Sequence, residues 1–216
     1  PPAALTAVFF VLPAIRQRRV PDIVKLAAFP ALAALLLASY NHARFGSPTD
    51  FGYDRMILHG VGRQLMEQFG QFHPHFVLRN AFWFFLAPPW ATPAGQFPYL
   101  GFDPRGLSLF AASPALLYAV VALWRRSREP LVRDALLGTI ACLIPLLLYF
   151  NTGFAQFGHR FSLDYLPLLM VLVVAGVGPR PTKLAYTAIA ASILIQATGV
   201  LLDPVTILPE WLAPGP

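Results

Sequence analysis

The residues best able to do chemistry sit in polar stretches that border apolar runs. The stretch "NTGFAQFGHRFSLDYLPLL", residues 151–169, holds His159, Arg160 and Asp164 where an apolar helix begins. A helix start near Phe161 puts Arg160 and Asp164 one turn apart, able to face each other. An arginine at a membrane boundary is costly unless paired or solvated, and its planar fork suits phosphate. The pattern fits a snorkelling anchor or a clamp for phosphate or pyrophosphate. In "YNHARFGSPTDFGYDR", residues 40–55, Arg44, Asp50, Tyr53, Asp54 and Arg55 crowd around turn signals at Gly46, Pro48 and Gly52. That stretch is either a loop held by its own salt bridges or part of a pocket for a charged lipid head group. In "PPWATPAGQFPYLGFDPRGLSLF", residues 88–110, Tyr99, Asp103 and Arg105 precede another apolar run. They form a lid, a connector or further substrate contacts. His73 and His75 in "HPH" could share a metal, but no third ligand is fixed by spacing. No phosphate-binding glycine loop, nucleophile elbow or zinc motif is present. No cofactor is therefore expected; a divalent metal is possible but not indicated.

These residues need positioning elements, and the composition says of what kind. The chain is 56% hydrophobic and 12% charged, with a mean hydropathy of +0.59. Soluble domains carry about 25% charged residues, so the deficit points to lipid as the solvent. Six apolar segments stand out: 3–15, 23–40, 106–124, 135–150, 165–178 and 184–202. Several fall short of the roughly 20 residues that cross the hydrocarbon core, and flanks with snorkelling Lys25 and Arg133 complete them. "FVLRNAFWFFLAPPW", residues 76–90, is aromatic and short, interrupted by Arg79 and Asn80; it reads as an interfacial or re-entrant helix. Pro30, Pro145 and Pro167 lie inside spans and should kink them. The one cysteine, Cys142, lies inside an apolar run, so no internal disulfide can form. The opening "PPAALTAVFFVLPAI" lacks a methionine and a charged n-region. It reads as a chain entered partway through a span, not as a signal peptide.

Charge distribution sets the topology. The connections "RQRRVPDIVK", "WRRSREPLVRD" and "GPRPTK" hold ten of the sixteen basic residues against three acids. The remaining connections hold six basic residues and seven acids, with all five histidines. The basic face should be cytoplasmic, and the net charge of +6 then reflects topology, not nucleic-acid binding. The expected fold is all-α: a polytopic transmembrane bundle of about six spans, one membrane domain over residues 1–216. Its long 41–105 loop is extracytoplasmic and carries the short interfacial helix; 151–164 lies on the same side.

Three stretches together carry a resemblance. "YNHARFGSPTDFGY", "PYLGFDPRGLSLFAASPALL" and "FGHRFSLDYLPLLMVL" resemble the C-terminal half of bacterial GT-C membrane glycosyltransferases. They look most like the dolichyl-phosphate-mannose protein mannosyltransferase-like group, which includes aminoarabinose transferases. The resemblance covers roughly residues 20–180 and says nothing of the sugar. It implies an inner-membrane enzyme that transfers a sugar from a polyprenyl-phosphate donor to a glycan, lipid or protein acceptor on the extracytoplasmic face. A carboxylate would take the acceptor proton and basic residues would steady the leaving phosphate. The family's catalytic carboxylates lie in a first outer loop that this sequence does not contain, so this fragment is expected to be inactive alone. It would supply the donor side: Arg160, His159, Asp164, Arg44, Asp50, Tyr53, Tyr99, Asp103 and Arg105.

Two other classes compete. A transporter or flippase subunit calls for ionisable residues at mid-membrane, whereas Lys25, Arg133 and Asp164 sit at segment ends. A structural membrane protein explains salt bridges, but not the gathering of histidines and acids on one face.

Overall fold

The computed structural model describes residues 2–52, 60–91, 100–101, 103, 105–153 and 156–201. Helix dominates them, with one two-residue antiparallel pair, β1 (Trp90–Ala91) and β2 (Leu100–Gly101). A 3₁₀ turn, Pro2–Thr6, leads into α1 (Ala7–Arg16). Helix α2 (Val20–Phe45) ends where Gly46 adopts φ +81 and its N–H bonds the His42 carbonyl. Gly52 is also left-handed, at φ +76, so the turn signals in this stretch act as expected.

Among the described residues, two helices are long and apolar enough to cross a membrane: α2 and α7 (Pro130–Leu148). No residue of α2's apolar window is buried, and Phe29, Leu35 and Leu36 are among its exposed side chains. The expected six spans reduce to these two by length and composition; Pro2–Arg16 and α8 (Leu166–Val177) are apolar but shorter.

The 106–124 segment is not one helix. It breaks into α5 (Leu109–Ala112), a 3₁₀ turn Pro114–Leu117 and α6 (Tyr118–Arg126). Ser113, preceding Pro114, takes φ −146 and ψ 83, the extended bias a following proline imposes. The break is satisfied by polar side chains of α9 (Lys183–Leu201): Gln196 Nε2 donates to the Ala112 carbonyl, and the Ala115 N–H donates to Ser192 Oγ. That is how an apolar bundle tolerates an interrupted helix. Pro30 and Pro145 lie inside helices, whereas Pro167 occupies the first turn of α8, where its missing N–H costs nothing.

The core lies between α6, α7 and α8, with α1 against α7. Ala119 and Ala122 of α6 are buried against α8, where a side chain at Gly176 would overlap the Tyr118 carbonyl. Small residues let these two backbones approach closely. Arg16 pairs with Asp134, which is buried at the start of α7. Gly178 lies near the Arg126 guanidinium. The three basic connections thus meet at one end of the bundle. Asp134, counted from sequence as part of a basic loop, is instead the buried tie between α1 and α7.

Candidate functional site

The opposite end is built on the short helical run after residue 73. A 3₁₀ turn Pro74–Phe76 is capped by His73 Nδ1, which accepts from the His75 N–H. The turn continues as α4 (Val77–Ala81) and a π-turn Phe82–Leu86. Phe76, Asn80, Phe84 and Ala87 form its buried face, while Leu78, Phe82 and Leu86 stay exposed. The run is short and helical, as read from sequence. Asn80 has a structural task. Its Nδ2 donates to the carbonyls of Leu146, Leu147 and Tyr149 at 3.2, 2.9 and 2.7 Å, helping to cap the C-terminal end of α7.

Segments 105–108 and 156–164 dock against each other here. The Leu107 N–H donates to the Phe157 carbonyl at 2.6 Å. Buried Gln156 donates to the Arg105 carbonyl and accepts from the Arg160 N–H. Gly106 sits at φ +96 against Gln156, where a β-carbon would be strained and crowded. Sequence reading treated these segments separately; the bridge through Gln156 joins them.

His159 is buried, 4% exposed, yet neither ring nitrogen has a hydrogen-bond partner among the described residues. Its ring lies 3.5 Å from Phe84, centroid to centroid, and 5.6 Å from Phe161. Burial, then the Arg160 charge, pushes its pKa down to about 3, so the imidazole is neutral at physiological pH. Arg160 is exposed and begins a 3₁₀ turn, Arg160–Asp164, with its guanidinium 5.4 Å over the Phe161 ring. The expected facing of Arg160 and Asp164 is not observed. At three residues per turn, four positions put side chains about 120° apart instead of the roughly 40° of an α-helix. Behind the turn, the Tyr165 hydroxyl is buried without a hydrogen-bond partner among the described residues.

His159 and Arg160 line a cavity of about 420 Å³. Ser113, Ser162 and Gln196 add polar groups; Leu109, Leu116, Leu163 and Leu166 form an apolar wall. The helix break, the 3₁₀ turn and α9 meet around it. Sequence reading missed Ser113, Ser162 and Gln196. Gln196 carried the one available signal, a strongly polar side chain within the apolar 184–202 run.

The other expected site residues lie elsewhere. Asp103 and Arg105 pair with each other, Arg105 Nε to Oδ1 at 2.6 Å and Nη2 to Oδ2 at 2.7 Å, and the guanidinium lies 4.2 Å over Trp83. Burial of Asp103 works against ionisation, but the hydrogen bonds and charge of Arg105 outweigh it and hold the carboxyl below its ordinary value. Arg44 bonds Tyr40 Oη at 2.9 Å, and Asp50 accepts from the Gly52 N–H at 2.7 Å. These are local contacts, and no residue of 40–52 lines the His159 cavity. Tyr53 and Tyr99 lie outside the described residues, as do Asp54 and Arg55.

No family model, curated protein or solved structure matches this chain.

Proposed function

We propose that this chain is the donor-binding part of a multi-pass glycosyltransferase in the bacterial inner membrane, acting on a polyprenyl-phosphate sugar at the extracytoplasmic face. The observation that carries this reading is the His159–Arg160 cavity, which sets an exposed guanidinium and a neutral, unpartnered imidazole against a wall of leucines. An amphipathic lipid phosphate has that division of chemistry. The leucine wall accommodates the first isoprene units. Arg160 offers a planar fork to the phosphate, favouring it as a leaving group. His159 can donate one hydrogen bond and accept one, suiting a phosphate oxygen and a sugar hydroxyl.

In this arrangement the chain makes six passes: 2–16, α2, 109–126, α7, 160–177 and α9. The clustered basic connections face the cytoplasm, which turns the cavity outward. The acceptor is a glycan, lipid or protein in the same aqueous layer. A transport reading has less support: Asp134, the buried acid within α7, is near its start and already paired with Arg16.

The test is transfer of sugar from a polyprenyl-phosphate donor, in proteoliposomes, by the enzyme of which this chain is proposed to be the donor-binding part. Arg160→Ala should lower transfer by orders of magnitude with expression and folding intact. Near-normal transfer by that variant removes Arg160 from the donor site and the proposal with it.

A further inference from the structure

Arg79 is a half-buried guanidinium with no carboxylate partner among the described residues. Its Nη2 donates to the Phe150 carbonyl, its Nε to Asn80 Oδ1 at 3.3 Å, and it lies 5.0 Å over the Phe76 ring. One turn further along the same run is Trp83, the ring that carries Arg105 at 4.2 Å. Arg105 commits Nε and Nη2 to Asp103. The Nη1 group of each arginine has no partner among the described residues. Arg105 is thus paired with a carboxylate, and Arg79 is not. Burial, then the charge of Arg105, lowers the Arg79 pKa.

We propose that Arg79 and Arg105 form a second anion site, taking a phosphate mono- or diester between their free Nη1 groups. A tetrahedral oxyanion presents several oxygens to two planar forks and removes the repulsion between them. Asp103 holds Arg105 in place and competes with the ligand for it. None of Arg79, Trp83, Asp103 and Arg105 lines the His159 cavity, so the site does not depend on the donor-binding reading.

The experiment uses the full chain carrying Arg160→Ala, in phosphatidylcholine nanodiscs, with binding read by calorimetry. One arm titrates inorganic phosphate; the other compares nanodiscs with and without phosphatidic acid by thermal unfolding. The Arg160→Ala background removes the cavity's guanidinium, so failure of the donor-site reading leaves this result untouched. Phosphate binding in neutral nanodiscs identifies a soluble anion; stabilisation by phosphatidic acid alone identifies a lipid headgroup. In either arm Arg79→Gln should weaken binding at least about tenfold, the worth of a charge-assisted hydrogen bond. Asp103→Asn should tighten it several-fold, because asparagine keeps the turn through Oδ1 yet frees the Arg105 fork. Should Arg79→Gln fail to fold, Asp103→Asn decides alone. Binding in neither arm, indifference to Arg79→Gln, or weakening by Asp103→Asn overturns the proposal.

Discussion

Replacing His159 by leucine should make this protein more stable and less functional. The imidazole is 4% exposed with both nitrogens unbonded. A buried donor or acceptor without a partner costs about 1–3 kcal/mol. Leucine removes both, at the loss of about 0.5–1.5 kcal/mol of ring packing on Phe84 and Phe161. With both groups relieved and that packing lost, the variant should gain about 0.5–5.5 kcal/mol at pH 7.5. Acid widens the gap. The unfolded imidazole titrates near 6.5 and the folded one near 3, so between those values the unfolded chain holds more protons. The His159 contribution is intact above pH 6.5 and is lost as pH falls, by about 1.4 kcal/mol per unit. At pH 4.5 the wild type should trail the variant by about 2.5 kcal/mol more than at pH 7.5. Equilibrium unfolding in mixed micelles at the two pH values measures both quantities. A variant less stable than wild type at pH 7.5, or a gap that does not widen at pH 4.5, refutes the reasoning. The same variant should lose affinity for a polyprenyl-phosphate donor.

Asn80→Asp keeps the shape but turns a carboxylate toward the carbonyls of Leu146, Leu147 and Tyr149; unfolding should show a loss of at least about 2 kcal/mol. Gly176→Ala drives a methyl into the Tyr118 carbonyl and should cost about 1–3 kcal/mol. Gly62→Ala in α3 (Gly60–Phe69), with nothing within 4 Å, is its control and should be neutral or stabilising by up to about 1 kcal/mol. Asp134→Ala leaves Arg16 unpaired beside a buried cavity; since Arg16 keeps some solvent access, the loss should be about 2 kcal/mol by the same assay.

The helices were legible because an apolar run is a local signal. The expected segments 23–40, 135–150 and 184–202 became Val20–Phe45, Pro130–Leu148 and Lys183–Leu201. What escaped depended on contacts between distant residues. The Ser113–Pro114 break was written in the sequence, yet only Gln196 and Ser192, some eighty residues on, make it tolerable. Arg160 and Asp164 were paired on α-helical spacing, and a 3₁₀ turn rotated them apart. Arg79 read as an interruption in an aromatic run; its significance appears only when Arg105 arrives over Trp83.

Hydrogen-bond accounting separates the polar residues that build this bundle from those left for something else. Asn80, Asp134, Gln156, Ser192 and Gln196 are polar residues in apolar surroundings, and each is spent on the chain itself: a helix end, an ion pair, a loop junction, a helix break. Burying a polar group without such a partner destabilises a fold. His159 and the Tyr165 hydroxyl are therefore anomalies that architecture does not explain. They are six residues apart, on either side of the turn that exposes Arg160. Tyr165 packs in the core cluster and does not line the cavity, so its hydroxyl can serve only groups inside the bundle. His159 does line the cavity, beside a free guanidinium. Of the two unmet groups it alone can be satisfied by a molecule arriving from outside, which makes it, ahead of any exposed charge in the chain, the residue whose loss should separate stability from function.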